Sequence, residues 1–239
     1  MSILRQSADG AIVKDMGVLD SATEETEAGH ATLHDRVYAS IRDGLINGRF
    51  VPGKSVTLRG LAADLGVSPM PVRAAVTRLV AEGALAITPT RRVSVPRMSP
   101  ARFDELMRVR ILLEGEAAER ALPAIDEERL ALIRAHDERL EACLAGGDAG
   151  GYMAANHAFH FAIYDALPSS VLVPVIAGLW LQFGPFMRLV YDDLDMSTLV
   201  DQHERALDAI ARRDAGALRR AIEADIGDGM SIIGRTGLE

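Results

Sequence analysis

Arginine grips a phosphate, or the edge of a guanine, through two parallel N–H bonds. In residues 57–83, TLRGLAADLGVSPMPVRAAVTRLVAEG, it recurs on one side of a helical pattern. Val72, Ala75, Val76 and Leu79 repeat at helical spacing and form an apolar stripe. Met70, Arg73, Ala74, Thr77 and Arg78 fall on the opposite side. Leu58, Leu61, Ala62 and Leu65 give a shorter, earlier helix its own apolar face. Gly66 ends that helix, because Gly enters the left-handed region without a Cβ penalty. Ser68 is placed to cap the second helix through its hydroxyl. Pro69 suits the first helical position, where no N–H is needed, and Pro71 is still in the first turn. Two short helices around a Gly turn, with Arg and Thr facing out, form a helix-turn-helix pattern.

A second set of polar residues lies far downstream. Asn156 and His160 are four apart, so they project from one helix face. Met153 and Tyr164 share that face and Ile163 adjoins it, which makes the setting apolar. A lone His in such a setting is more often a hydrogen-bonded core residue than a ligand. His157 points about 100° away from His160. His203 and Asp225 fall on two later helical patterns. Arg110 precedes Glu114 by four residues, the spacing of an intrahelical salt bridge. Trp180 and Phe183 read as core or pocket wall.

The elements that hold these residues can be read around them. Residues 33–48 repeat through Val37, Ile41, Leu45 and Ile46 and predict a helix ending at Gly48. Residues 84–96, ALAITPTRRVSVP, predict two short strands around a turn holding Arg91 and Arg92. Residues 31–97 are then a winged helix-turn-helix domain. After the junction VPRMSP, only helical patterns follow. They start near Ser99, Asp126, Gly151, Ser170, Ser197 and Ala215, with Gly184 and Pro185 expected to kink the fourth. Residues 98–239 therefore predict an all-helical antiparallel bundle, and the chain as a whole is mainly α. Residues 1–30 carry TEETEAG without any sustained period and predict a disordered arm.

The net charge of −8 would argue against nucleic acid if it were spread evenly. It is not: 31–97 carry ten basic and four acidic residues, net +6, almost all of the basic ones Arg. The positive charge coincides with the helix-turn-helix. The single cysteine, Cys143, excludes an internal disulfide and reads as a buried thiol. No apolar run is long enough to span a membrane, and MSILRQSADG lacks the pattern of a secretory signal. These features predict a cytoplasmic protein.

FVPGKSVTLRGLAADLGVSPMPVRAAVTRLVAEGAL resembles the N-terminal domain of GntR-type bacterial transcription regulators. RVRILLEGEAAERAL, NHAFHFAIYDAL, LWLQFGPFMRL and DQHERALDAIARRDAGALRRAIEADI resemble the helical effector domain of the FadR branch, the FCD type. The resemblance covers almost all of 31–235. Arg59 and Arg73 match the family's DNA-contacting arginines. Pro69 stands where the family usually has a DNA-touching Arg, Val56 where Leu is usual, and Arg92 where the wing often has Gly.

The resemblance implies a regulator, not an enzyme. Its homodimer would bind an inverted-repeat operator in double-stranded DNA, most often as a repressor. Arg59, Ser68, Met70, Arg73 and Thr77 would form the DNA-facing set, with Arg91 and Arg92 on the wing. The resemblance also implies a small effector, an organic acid in particular, held beside a divalent metal. Asn156, His160 and His203 match three family ligand positions, and Asp225 stands where a third His is usual. That set suits zinc, manganese, iron or nickel. Arg110 would fork onto the effector's carboxylate, with Tyr164 and Trp180 as further contacts. Two rival readings remain at this point: a metal-dependent enzyme built on the bundle, and a sensor of the metal itself.

Overall fold

The structure, a computed structural model, describes residues 32–191 and 201–236. The predicted arm at 1–30 lies outside the described residues, as do 192–200, where the fifth bundle pattern begins. The chain divides between Pro96 and Arg97 into two compact units, with Leu45–Gly48 grouped with the second.

The first unit holds α1 (Leu33–Ile46), β1 (Ser55–Val56), α2 (Leu58–Asp64), α3 (Pro69–Ala81), β2 (Ala86–Ile87) and β3 (Val93–Ser94). Its core is the apolar stripes of the three helices, with Val37, Ile41, Leu61, Leu65, Val72, Val76 and Leu79 all buried. Burying each such side chain contributes roughly 1.5–3 kcal/mol. Thr57 starts α2 by accepting a hydrogen bond from the Gly60 N–H at 2.9 Å. Gly66, at φ +67°, makes the turn into α3.

The strands form one sheet in the order β1-β3-β2, both pairings antiparallel. β1 has no sequence signature, since two residues are too few to show alternation. The wing turn closes when the Arg91 N–H donates to the Thr88 carbonyl at 2.9 Å. Arg91 sits there at φ +59°, a left-handed position that Gly fills at no steric cost.

The second unit is helical. It contains α4 (Pro100–Ala121), a 3₁₀ turn (Leu122–Ala124), α5 (Glu127–Ala145), α6 (Ala149–Tyr164), α7 (Leu172–Tyr191), α8 (Gln202–Ala211) and α9 (Ala215–Thr236). Ser99, Asp126, Asp148 and Asp201 each cap a helix by accepting a backbone N–H three residues on. α7 stays helical through Pro185 to Tyr191. α4 packs on α9, α5 on α6, and α8 on α9. The α4–α9 approach is close: a Cβ added to Gly115 would stand 2.8 Å from Glu223 Oε1. Arg219 of α9 reaches Glu116 and Glu119 of α4 at 3.2 and 2.9 Å, in an antiparallel register. That register sets Arg110 of α4 against the later turns of α9, where Asp225 lies.

Candidate functional site

In the first unit the outer face of α3 is built as the pattern predicts. Arg73, Ala74, Thr77 and Arg78 are exposed, and Met70 is 73 % exposed. Arg59 on α2 is exposed as well. Ser68 stands at the N-cap of α3, but its hydroxyl makes no capping bond. The cause is local chemistry. A capping oxygen accepts from the second or third helical N–H, and the third residue here is Pro71, which has none. The hydroxyl and the Met70 N–H are left at an exposed, partly positive helix end.

Other groups on this face are committed. The Thr77 hydroxyl donates to the Arg73 carbonyl at 2.9 Å. Arg78 stacks over the Tyr38 ring at 3.7 Å and pairs with Glu82 at 3.0 Å. The two wing arginines differ in kind. Arg92 donates to the Ser55 hydroxyl and carbonyl at 2.9 and 2.8 Å, so its guanidinium ties β1 to the wing. Arg91 projects from the turn and is exposed. Sequence alone treated the two as equivalent.

In the second unit a cavity of about 270 Å³ is lined by Arg110, Asn156, His160, Trp180, His203 and Asp225, among others. His160, His203 and Asp225 each offer a donor atom, all within 4.8 Å of one another. His160 Nε2 is 3.2 Å from Asp225 Oδ2, and His203 Nε2 is 3.6 Å from Asp225 Oδ1. Both imidazoles are buried, and Asp225 is 28 % exposed.

The outer nitrogens of the two rings decide what the inner ones can do. His203 Nδ1 lies 3.0 Å from Asp137 Oδ1, so it carries a proton and donates. His160 Nδ1 lies 3.1 Å from the Tyr164 hydroxyl, which itself donates to Glu114 Oε2 at 2.9 Å. Burial and then the Glu114 charge hold the Tyr164 hydroxyl well above its ordinary pKa of 10.0, so it stays a donor. Its oxygen is left to accept from His160 Nδ1–H. With both outer nitrogens protonated, each inner nitrogen of a neutral ring turns a lone pair toward the Asp225 carboxylate. Three acceptors converge with no donor between them, and they require a cation or a proton.

Without a metal, a proton on one of the rings answers this convergence, and His203 is held toward its protonated form. Burial pulls its pKa down, but the Asp137 hydrogen bond and the Asp225, Asp137 and Asp201 charges outweigh this and raise it above 6.5. Burial likewise pushes Asp225 up, and the closeness of the His160 ring, then of His203 and Arg110, outweighs that and lowers it below 3.8. Two imidazole nitrogens, each oriented from behind, and one carboxylate suit a divalent transition metal. Asn156, 6 % exposed, lines the same cavity one turn before His160 and has no side-chain partner among the described residues.

Glu114 is the hub behind this site and is fully buried. It accepts from Arg110 Nε at 2.7 Å, Trp180 Nε1 at 2.9 Å and the Tyr164 hydroxyl. Arg110 is also held between Trp180 and Phe183, whose ring centres lie 4.5 and 4.4 Å from its guanidinium carbon. Its bonds to Glu114 use Nε and Nη2, and Nη1 is uncommitted among the described residues. Arg110 is thus both a salt-bridge partner and a cavity wall.

Tyr164 is placed differently from the sequence expectation. It is fully buried and does not line the cavity, because its hydroxyl is drawn toward Glu114. It lies behind His160, with its hydroxyl engaged by Glu114. Sequence reasoning missed Asp137 and gave Glu114 no part beyond its pairing with Arg110. Asp137 sits in RAHDERLE, where charges of both signs crowd the helix and none stands out.

Comparison with known proteins places these features. Residues 33–95 match the model of the gntR family of bacterial regulatory proteins, and residues 105–228 match that of the FCD domain. The chain is similar to the HTH-type transcriptional regulator McbR of Escherichia coli (strain K12), with 28 % identity over 81 % of this chain and 89 % of McbR. An uncharacterized HTH-type regulator of Agrobacterium vitis is 36 % identical over 52 % of this chain and 74 % of its own. The solved structure of E. coli McbR/YncC superposes with a TM-score of 0.79 at 27 % identity, covering 85 % of this chain and 98 % of that one. Among the described residues no helix is long and apolar enough to cross a membrane. The exposed recognition helix and the helical unit downstream are those of a DNA-binding transcription regulator rather than an enzyme, and the chain belongs to the GntR family, in the FadR branch that carries an FCD domain.

Proposed function

We propose that this regulator is a metal-bearing metabolite sensor that represses transcription as a cytoplasmic homodimer on an inverted-repeat operator. Residues 31–97 read DNA, and 98–239 dimerise and bind the effector. Arg73, Thr77 and Met70 face base edges in the major groove. Ser68 and Arg59 hold the backbone, and Arg91 reaches the neighbouring groove or a phosphate. Arg92 acts through β1, by fixing the wing.

In the helical unit, His160, His203 and Asp225 hold a divalent metal, with Asn156 as a weaker fourth ligand. The metal supplies a positive centre on which an organic acid can dock beside the Nη1 edge of Arg110. Tyr164–Glu114 and Asp137 orient the two imidazoles. Trp180 and Phe183 wall the cavity and hold the Arg110 fork. Ligand occupancy then shifts the population between conformers that differ in operator affinity.

The observation that carries this reading is the convergence of the Asp225 carboxylate with two imidazoles whose outer N–H groups are turned away. Elemental analysis of untagged protein tests it, together with melting in the presence and absence of EDTA. The expected result is about one metal per chain, with a melting temperature lowered by chelation. Less than about 0.2 metal per chain and an EDTA-insensitive melt would remove the metal.

A further inference from the structure

The cavity wall is lopsided in charge. Among the described residues, Asp137, Glu141, Asp201, Asp225 and Asp228 line it, against one fixed cation, Arg110. The acids fall into two layers. Asp137 and Asp225 belong to the deep layer with His160 and His203. Glu141, Asp201 and Asp228 lie at the outer end. Glu141 follows Asp137 by one turn of α5, and Asp228 follows Asp225 by one turn of α9. Asp201 caps the neighbouring end of α8, and Gln202 donates to Asp228 at 2.8 Å across that end. Glu141 and Asp201 are exposed, whereas Arg110 and Asn156 are buried.

Two polar groups point to a ligand deep in this space. Arg110 is 3 % exposed and leaves its Nη1 edge uncommitted among the described residues. Asn156 is 6 % exposed and has no partner there either. Both residues line the cavity, where a ligand oxygen can accept from them. A second carboxylate at the outer end would meet three acids of its own sign. An ammonium would meet them as counter-ions.

We propose that the cavity's ligand is an ω-ammonium carboxylate, its carboxylate inward on Arg110 and its ammonium outward among Glu141, Asp201 and Asp228. The inference rests on the reading of this cavity as the effector site. One helical turn separates the two layers, about 5 Å. A spacer of three methylenes between the two charges fits that separation.

The test is calorimetric titration of the full-length, manganese-treated chain with three acids of similar length: 4-aminobutyrate, 4-hydroxybutyrate and glutarate. Metal content is measured on the same sample. We expect 4-aminobutyrate to bind tightest, on the order of tenfold over either of the others. The double variant Glu141→Gln, Asp201→Asn should bring the three to within about threefold. Asn also caps helices, so the start of α8 is kept. Equal or tighter binding of 4-hydroxybutyrate or glutarate overturns the proposal while leaving the effector reading in place. So does binding of none of the three by a metal-loaded chain. A chain that takes up no manganese yet prefers 4-aminobutyrate keeps the proposal and removes the metal. One that takes up no manganese and binds none of the three overturns the effector reading, and this proposal with it.

Discussion

The N-terminal end of α3 and the cavity of the helical unit handle polar groups in opposite ways. At α3 the Ser68 hydroxyl makes no capping bond, and Met70 and Arg73 stand in solvent. Behind the cavity wall the Glu114 carboxylate takes donors from three side chains, and each imidazole is held from behind. The difference follows from water. An exposed donor is solvated until a phosphate or base replaces the water, so leaving it unpaired costs little. A buried polar group without a partner costs several kcal/mol. Burial therefore permits only those open valences that a bound partner will fill. The inner nitrogens, Asp225, Asn156 and one edge of Arg110 face the cavity, where a bound partner can reach them.

The largest effect is expected where that contrast is sharpest. Glu114→Ala removes the acceptor of three buried donors and strands the Arg110 charge. It should lower stability by about 3–5 kcal/mol in denaturant titration. Arg73→Ala removes a solvated side chain and should leave the denaturation midpoint nearly unchanged. Its loss should appear in operator binding, about 1–3 kcal/mol with relaxed preference at one base pair. If Glu114→Ala is as mild as a surface substitution, the cavity wall is not the satisfied network described.

A smaller pair of substitutions compares two caps. Asp126 accepts from the Arg129 N–H at 2.8 Å, and Asp126→Ala should cost about 1 kcal/mol. Ser68 makes no such bond, so Ser68→Ala should cost well under that in stability yet weaken DNA binding. Equal stability losses in the two variants would show that the Ser68 hydroxyl does cap α3.

The smallest expected effect is in pH dependence, and it separates the metal-free from the metal-bound chain. His203 has its pKa raised above 6.5, so its contribution is complete below 6.5 and is lost as pH rises through the folded value. Asp225 has its pKa lowered, so its contribution is complete above 3.8 and is lost as pH falls through the folded value. In EDTA the melting temperature should therefore decline above pH 6.5 as the His203 proton leaves. With metal bound, that decline should vanish, because the cation takes the proton's place. Parallel profiles in the two states would separate His203 from the metal.

Much of this molecule was legible in the sequence where periodicity and burial coincide. The stripe of Val72, Ala75, Val76 and Leu79 is buried, and Arg73 and Thr77 face out, as a 3.6-residue repeat requires. The Asn156–His160 spacing placed both residues on one cavity wall. What could not be read depends on contacts between distant segments. β1 exists because β3 pairs with it. Arg92 is drawn to Ser55, 37 residues away. Asp137 matters only because α5 and α8 meet, and Tyr164 faces Glu114 across 50 residues of sequence. Pro71 removes one of the two N–H groups that the Ser68 hydroxyl could cap, and that was local enough to be seen. Favourable residue types at both helix positions masked the missing N–H.

The most direct test of the account is titration of the metal-free chain with manganese or zinc at pH 6.5, repeated in buffers of different ionisation enthalpy. Such a series yields both the stoichiometry and the protons released. The account predicts one metal per chain and a proton released on binding as the cation displaces it from His203. Affinity should fall as pH is lowered, and binding should be lost in His203→Ala. Metal uptake that is independent of pH and retained in His203→Ala would contradict it.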